Sequence, residues 1–384
     1  DSDFHKRDLY DAIEAGDYPE WEFGIQVVEE KDEHKFPFDL LDPTKIIPEE
    51  IVPVQRIGKM VLNRNPDNFF AETEQVAFHP GHLVPGIDFT NDPLLQGRLF
   101  SYTDTQLSRL GSPNFHEIPI NRSINPIHNN QRDGHMRQQI NKDKTSYHPN
   151  SLGGGCPFQA KFTEGGFTSY AEKIDASKVR GRSQSFFDHF SQAALFYNSQ
   201  SDVEKNHLTN ALRFELSKVN AVAVRQRMVG LLSQVDQTLA KNVADALGLP
   251  VPKKPEQPIN QSIPADGNPA KFQPKFVDQG IKSSPALSMA NTVKNTIKSR
   301  KIAILASNGV DAFALNQMKK ALTDAGAMAE IIAPKLGEIT AAKGNAVHVD
   351  KSLMTVASVL YDAVYLPGGK ESVQALIKEA DAIH

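Results

Sequence analysis

Cysteine is nearly absent: Cys156, in the stretch SLGGGCPF, is the only one among 384 residues. One thiol cannot close an internal disulfide, form a Cys-x-x-Cys redox pair or build a cysteine-rich zinc site, and in this loop context it reads as inert. Neither sign of charge predominates. With 42 basic and 46 acidic residues and a net charge of -4, the electrostatics give no case for nucleic acid or an acidic membrane surface as a partner. Also missing is any apolar run near the ~20 residues that a membrane span requires. The opening DSDFHKRDLY lacks the apolar core of a secretory signal. Compartment is left open, because a large core can stabilise a secreted protein without disulfides. The sequons at Asn121 (NRS) and Asn260 (NQS) would matter only on export. No repeat of fixed period occurs.

What is present is an ordinary globular composition, 40% hydrophobic and 23% charged, on a chain long enough for two or three domains. The first 65 residues mix a short helix, Arg7 to Ala15, with strand-like stretches at Trp21–Val28 and Arg56–Leu62. Two strands make no sheet of useful size, so the pattern predicts that the sequence begins inside a domain. Residues 120 to 165 are rich in Asn, Gln, Gly and His, a length and polarity expected of a functional loop or of an arm wrapped over a neighbouring chain. From Ser183 to Gly248 apolar residues recur three and four apart, predicting a small helical domain. Eight prolines between 250 and 285 mark a linker over 249–298. Beyond it, strands at Lys301–Ala306, Ala327–Ala333 and Ala363–Leu366 alternate with a helix at Ala312–Ala325, the pattern of a parallel, doubly wound sheet. One helix is expected after the turn Pro367-Gly368-Gly369.

The chemistry concentrates in GRLFSYTDTQLSRLG, residues 97 to 111. Asn91-Asp92-Pro93 before it and Gly111 at its end punctuate a helix. At 100° per residue, Leu94, Arg98, Ser101, Tyr102, Thr105 and Arg109 share an arc of about 100°, the width of a stripe that faces a core. Two arginines and a tyrosine stand where oily side chains belong. Burying an arginine is costly unless an anion meets it, and Tyr102 lies at i+4 from Arg98. An arginine at ~4 Å in an effective dielectric of ~20 favours the phenolate by about 4 kcal/mol. A phenolate is a hard, electron-rich ligand suited to ferric iron. Asp104 falls off the stripe and reads as solvated, and His79-Pro80-Gly81-His82 reads as a loop rather than a metal pair.

The run R-L-F-S-Y-T-D-T-Q resembles the proximal haem-ligand signature of the haem catalases, a family in which tyrosine is the known axial ligand. Its flanks agree: FHPGHLVPGIDFTNDPLLQGRLFSYTDTQLSRLG and PNFHEIPIN, with DLLDPTKIIPEEIVPVQRIGKMVLNRNPDNFFAETEQVAF upstream and FELSKV downstream. The added C-terminal α/β segment resembles that of the large-subunit branch, whose last domain is similar to flavodoxin and to the PfpI group.

The resemblance implies an α+β chain. Its parts are a partial antiparallel β-barrel haem domain over 1–119 with the proximal helix at 93–110, a wrapping segment at 120–165 and a helical domain at 166–248. After the linker at 249–298 comes a truncated flavodoxin-like domain at 299–384. It implies haem, b or d, with Tyr102 as the metal ligand and Arg98 as its charge partner. Arg109 would reach a haem propionate, Ser101, Thr105 and Gln106 would line the proximal side, and Phe78, Leu94 and Gly97 would pack near the macrocycle. His79 matches a position that in some large-subunit members lies beside the proximal tyrosine.

The implied reaction is disproportionation of hydrogen peroxide to water and dioxygen through an oxyferryl intermediate, in a homo-oligomer, a tetramer by resemblance. The histidine in a Val-His-x-Arg-Gly context and the asparagine that serve the family on the opposite haem face do not occur here. Those residues are therefore expected upstream of Asp1, and the chain reads as a piece of a longer polypeptide. Two other readings stay open: a peroxidase or phenol oxidase on the same haem, and a non-catalytic haem-binding or assembly fragment. In residues 299–384 no cysteine follows the PGG turn, which argues against a thiol hydrolase there and leaves a stability or assembly role as the expectation. Ser307-Asn308-Gly309-Val310 lacks the glycine pattern of a dinucleotide site.

Overall fold

The computed structural model describes residues 3–124, 133–140, 142, 161, 168–175, 177, 179, 181–292 and 294–383. Cys156 and most of the 120–165 segment lie outside them. The chain divides into two compact units, one of Asp1–Ile25, Arg56–Asn65 and Met289–His384, the other of Gln26–Gln55 and Pro66–Ser288. Among the described residues no helix is long and apolar enough to cross a membrane.

The chain opens with α1 (Phe4–Glu14), starting three residues earlier than the sequence pattern suggests, and a hydrogen-bonded ribbon of β1 (Glu20–Ile25) and β2 (Gln55–Val61). The ribbon ends sooner than the apolar run, at Ile25 rather than Val28, and ion pairs Arg56–Glu22 and Lys59–Glu20 join its two strands. Trp21, Phe23, Ile57 and Met60 on it are all exposed.

In the second unit the functional helix α2 runs over Pro93–Leu110. The helical pattern beyond residue 183 resolves into α3 (Ser191–Ser199), α4 (Asp202–Ser217), α5 (Val222–Leu232) and α6 (Gln237–Leu247). Their ends follow from local chemistry. Ser201 and Glu204 form a reciprocal capping box on α4, Asp236 caps α6, and Gly248 ends α6 in the left-handed conformation. Tyr197, Leu216, Leu239 and Val243 make their shared core. The proline-rich stretch that follows carries only single 3-10 turns within this unit, yet it is fastened to the helices. Gln200 Nε2 donates to the Leu287 carbonyl at 2.8 Å, the Ser284 N–H to Ser199 Oγ at 2.8 Å, and the Lys275 N–H to the Phe187 carbonyl at 2.8 Å. Proline removes backbone donors, so what regular structure cannot satisfy here is met by side chains of α3 and its C-terminal end and by the backbone of the turn before it.

A buried ion pair anchors the unit's N-terminal loop. Asp42 accepts hydrogen bonds from Ser185 Oγ (2.6 Å), Thr44 Oγ1 (2.7 Å) and the Thr44 N–H (3.0 Å), and Lys45 Nζ lies 3.4 Å from it. Burial alone would raise this carboxyl, but the hydroxyl and amide donors and the Lys45 charge outweigh it and hold the group below the usual carboxylate range. A depressed folded value means that this stabilisation is complete above the unfolded value and is lost as pH falls through the folded one. Asp42→Asn is expected to cost about 1–3 kcal/mol at neutral pH. Denaturant titrations at neutral and acid pH should show that cost shrinking as acid is added.

The last segment of the first unit contains a four-stranded parallel sheet in the order β7-β4-β3-β8. Its strands are β3 (Lys301–Leu305), β4 (Met328–Ala333), β7 (Lys351–Ser352) and β8 (Ala363–Tyr365), and a separate antiparallel hairpin joins β5 (Gly337–Thr340) to β6 (Ala346–Val349). Alternate residues point to opposite faces. Ile302, Ile304 and Ile331 therefore pack with Leu315 of α7 (Ala312–Asp324), while Ala303 and Ile332 pack with Leu376 of α8 (Lys370–Leu376). A strand buried on both faces must be apolar at its buried positions, as Ile302, Ala303 and Ile304 of KIAIL are. A further helix, α9 (Ala380–Ile383), follows α8, so among the described residues two helices rather than one succeed the PGG turn. The stretch Leu376-Ile377-Lys378-Glu379 holds no glycine or proline, so it gives no breaker by which sequence could divide them.

Candidate functional site

The boundaries of α2 are set by its own sequence. The Asp92 carboxylate accepts the Leu94 N–H at 2.8 Å, Pro93 occupies the first turn, and Gly111 closes the helix at φ 72°. Its orientation differs from the expectation. Gln106 is the buried residue of α2, with Leu95, Leu99 and Leu110 half-buried around it, so the covered face is centred about 100° further round the helix than the Arg98 stripe. Leu94, Gly97, Arg98, Ser101, Thr105 and Arg109 are exposed, and Tyr102 is half-buried. The stripe thus faces outward in this chain, a correction to its reading as a core-facing arc. Physically, guanidinium and hydroxyl groups are costly to desolvate, and the leucines beside them supply the packing face instead.

The predicted pair is assembled on that open face. Arg98 Nη2 donates to the Tyr102 hydroxyl at 3.4 Å, and the guanidinium carbon lies 5.1 Å from the centre of the Tyr102 ring. Gly97, on the same side, has no atom within 4 Å of the position a Cβ would take. The donor set is one phenolic oxygen beside one permanent cation, over an apolar and hydroxyl-bearing surface without a side chain at 97. This suits a flat, apolar macrocycle carrying a metal that favours an anionic oxygen ligand.

Arg109 is placed differently from a residue free to meet a carboxylate. Its Nη1 donates to the Glu74 carbonyl at 2.5 Å, and its Nη2 to the Val76 carbonyl and Gln106 Oε1, both at 2.7 Å. Gln106 Nε2 donates to the Phe78 carbonyl at 3.2 Å. From the other side, Asn121 Oδ1 accepts the Ala77 N–H at 2.7 Å, and its Nδ2 donates to the Gln75 carbonyl at 2.9 Å and the Phe115 carbonyl at 3.0 Å. Residues 74–78 form no strand, so three side chains satisfy their backbone and hold a strap that leads into Phe78 and His79. Nothing local announces this stitching, since Asn121 reaches across 44 to 46 residues. Asn121→Ala should cost about 1–3 kcal/mol by removing partners from half-buried backbone groups. Denaturant unfolding checks this, and the amide's engagement also means that the NRS sequon offers no free Nδ2 once folded.

His79 meets the helix at the end of the strap. Its ring centre is 6.3 Å from that of Tyr102, nearly perpendicular to it, and 5.2 Å from His82. Nε2 is 2.7 Å from Thr103 Oγ1, a neighbour the sequence gave no reason to select, and Nδ1 accepts the Gly81 N–H at 2.8 Å. Burial, aided by His82, lowers His79 from the usual histidine range, against the Leu99 carbonyl. Phe78 beside it is 74% exposed and Leu94 is 51% exposed. No group of three or more potential metal-binding His, Cys, Asp or Glu side chains occurs among the described residues.

Comparison with known proteins places the chain among its relatives. Residues 1–154 match the catalase domain model, 183–247 the model of a catalase-related immune-responsive domain, and 298–382 the C-terminal domain found in long catalases. A catalase of Alkalihalophilus pseudofirmus is 53% identical over 371 residues, 97% of this chain and 52% of the relative. Catalase HPII of Pseudomonas putida is 52% identical over 100% of this chain and 52% of its own, and Catalase-2 of Bacillus subtilis 51% over 99% and 53%. The chain spans about half the length of the curated relatives it matches. With a catalase domain over residues 1–154, the C-terminal domain of long catalases over 298–382 and catalases about 50% identical along the chain, the chain belongs to the large-subunit catalase family.

Proposed function

We propose that this chain forms the proximal half of a haem site in an enzyme that converts two molecules of hydrogen peroxide to two of water and one of dioxygen. The observation that carries the reading is the Arg98–Tyr102 pair at 3.4 Å on the exposed face of α2, in a chain similar to proteins named catalase. When bound, haem would supply a redox centre that gives two electrons to one peroxide, yielding water, and recovers two from a second, yielding dioxygen. Tyr102 would hold that iron through its phenolic oxygen, with Arg98 stabilising the anionic form. Ser101, Thr105 and Gln106 would border the macrocycle, and Phe78, Leu94 and the space over Gly97 would receive its apolar surface. Arg109 has five N–H groups, of which the strap engages two and Gln106 one, so a propionate can share it.

The partial barrel is proposed to include the β1–β2 ribbon, and the parallel sheet of β3, β4, β7 and β8 to be a flavodoxin-like domain. A homotetramer is the assembly proposed from the resemblance, and the exposed Phe100, Trp21 and Phe23 are apolar surface that other chain segments or subunits would cover. Sedimentation showing a stable monomer of the haem-loaded protein would contradict this.

Two measurements test the function. An absorption spectrum should carry the signature of ferric haem bound by tyrosinate, and oxygen release from peroxide should exceed oxidation of a catechol. Dominant catechol oxidation would favour the peroxidase or phenol oxidase reading, and haem binding without oxygen release the assembly-fragment reading. Gly97→Ala adds a check on the cradle. On an exposed helix alanine should stabilise the fold by about 0.5–1 kcal/mol, while haem affinity, followed by titration, should fall.

A further inference from the structure

We infer that Asn308 is a covalent modification site held in check by the fold, converted to aspartate and isoaspartate only when the β5–β6 hairpin parts from the turn after β3. Asn308-Gly309 is the one Asn-Gly step in the sequence, and glycine, lacking a Cβ, leaves the nitrogen that follows an asparagine least shielded. In the reaction the Gly309 nitrogen loses its proton and attacks Cγ of Asn308. A C–N bond forms, Nδ2 leaves as ammonia, and water then opens the cyclic imide at one carbonyl or the other. One opening gives aspartate, and the other gives isoaspartate with an extra methylene in the main chain. Water is the only reagent consumed. The fold cannot avoid the hazard by changing the glycine, because Gly309 sits at φ 83° and a Cβ on it would lie 2.5 Å from Glu371 Cβ.

Instead, one residue of β5 occupies both reacting groups. The Gly309 N–H donates to the Thr340 carbonyl at 2.7 Å, and Asn308 Oδ1 accepts the Thr340 N–H at 2.9 Å. The contact continues beyond them, since the Ala342 N–H donates to the Val310 carbonyl at 2.9 Å and Val310 pairs with Ala341 in a short parallel bridge. Gly309 is buried although Asn308 is exposed. A buried, hydrogen-bonded amide gives up its proton to hydroxide only after local opening, and deprotonating it in place would leave an unpaired charge out of water. The attacking nitrogen is therefore released by the same motion that exposes it to hydrogen exchange. Isoaspartate then lengthens the main chain between the two groups that Thr340 holds, so a converted chain cannot restore both bonds.

The test incubates the full chain at neutral pH and follows conversion at residue 308 by mass spectrometry, beside a synthetic peptide of residues 303–314. Conversion in the folded chain should be about tenfold or more slower than in the peptide. Across sub-denaturing urea it should rise in proportion to hydrogen exchange at the Gly309 amide. Ala342→Pro, which removes the donor to Val310, should raise both rates together. Asn308→Gln, whose longer side chain would have to close a larger ring, should show no conversion and so identifies the signal. A folded chain that converts as fast as the peptide, or exchange that rises with urea while conversion stays flat, overturns the inference.

Discussion

Replacing Tyr102 with phenylalanine is expected to remove the tyrosinate signature from the haem spectrum and to lower oxygen release by about a thousandfold or more, equivalent to ~4 kcal/mol at the barrier. The change deletes a single oxygen and keeps the ring that packs edge-on against His79. Because that oxygen's one protein partner on α2 is the exposed Arg98, folding stability should shift by less than about 0.5 kcal/mol. Such a split between activity and stability separates a ligand from a packing residue. Retention of both spectrum and oxygen release in the variant would end the proposed role of this helix. Arg98→Gln should fall between the two, since it removes the cation and leaves the oxygen in place.

The second large effect lies in the other unit. Gly369 sits at φ 94°, and a Cβ on it would come 2.2 Å from the Gly309 carbonyl oxygen, 2.9 Å from Val310 Cα and 3.0 Å from the Asp311 nitrogen. Those are backbone atoms of the turn that follows β3, and the Asp311 N–H is tied back to the Gly368 carbonyl at 3.3 Å, so they have no rotamer by which to yield. Strain in the left-handed region costs about 1–3 kcal/mol and overpacking about as much again. Gly369→Ala should therefore destabilise the parallel-sheet unit by about 2–6 kcal/mol. Limited proteolysis and denaturant unfolding would detect it, and a variant as stable as wild type would show that the two turns can part. The PGG motif is explained by this close crossing of two turns, which a reactive-residue elbow would not require.

Much of the local structure was legible because it depends on neighbours in sequence. The cap at Asp92, the proline after it and the glycine at 111 fix α2, and alternation of apolar strands with an amphipathic helix gives the parallel sheet around KIAIL. The i,i+4 spacing of Arg98 and Tyr102 places them side by side on any helix. Less legible were the ends of the first ribbon, where apolar residues continue past Ile25 although pairing stops, and the division of the last helical stretch into α8 and α9.

Sequence by itself determined which atoms meet one helical turn apart, and therefore the tyrosine and arginine on which the chemistry depends. Tertiary structure alone decided which way that helix faces, turning Leu95, Leu99 and Gln106 inward and the arginine stripe outward. It also decided that Arg109, Gln106 and Asn121 clasp the backbone of 74–78, and that Thr103 and Gly81 seat His79. The physical reason is the range of the interactions. Capping and helical spacing are settled within a few residues, whereas a backbone strap with no strand partner takes its hydrogen bonds from whatever side chain the fold brings across tens of residues.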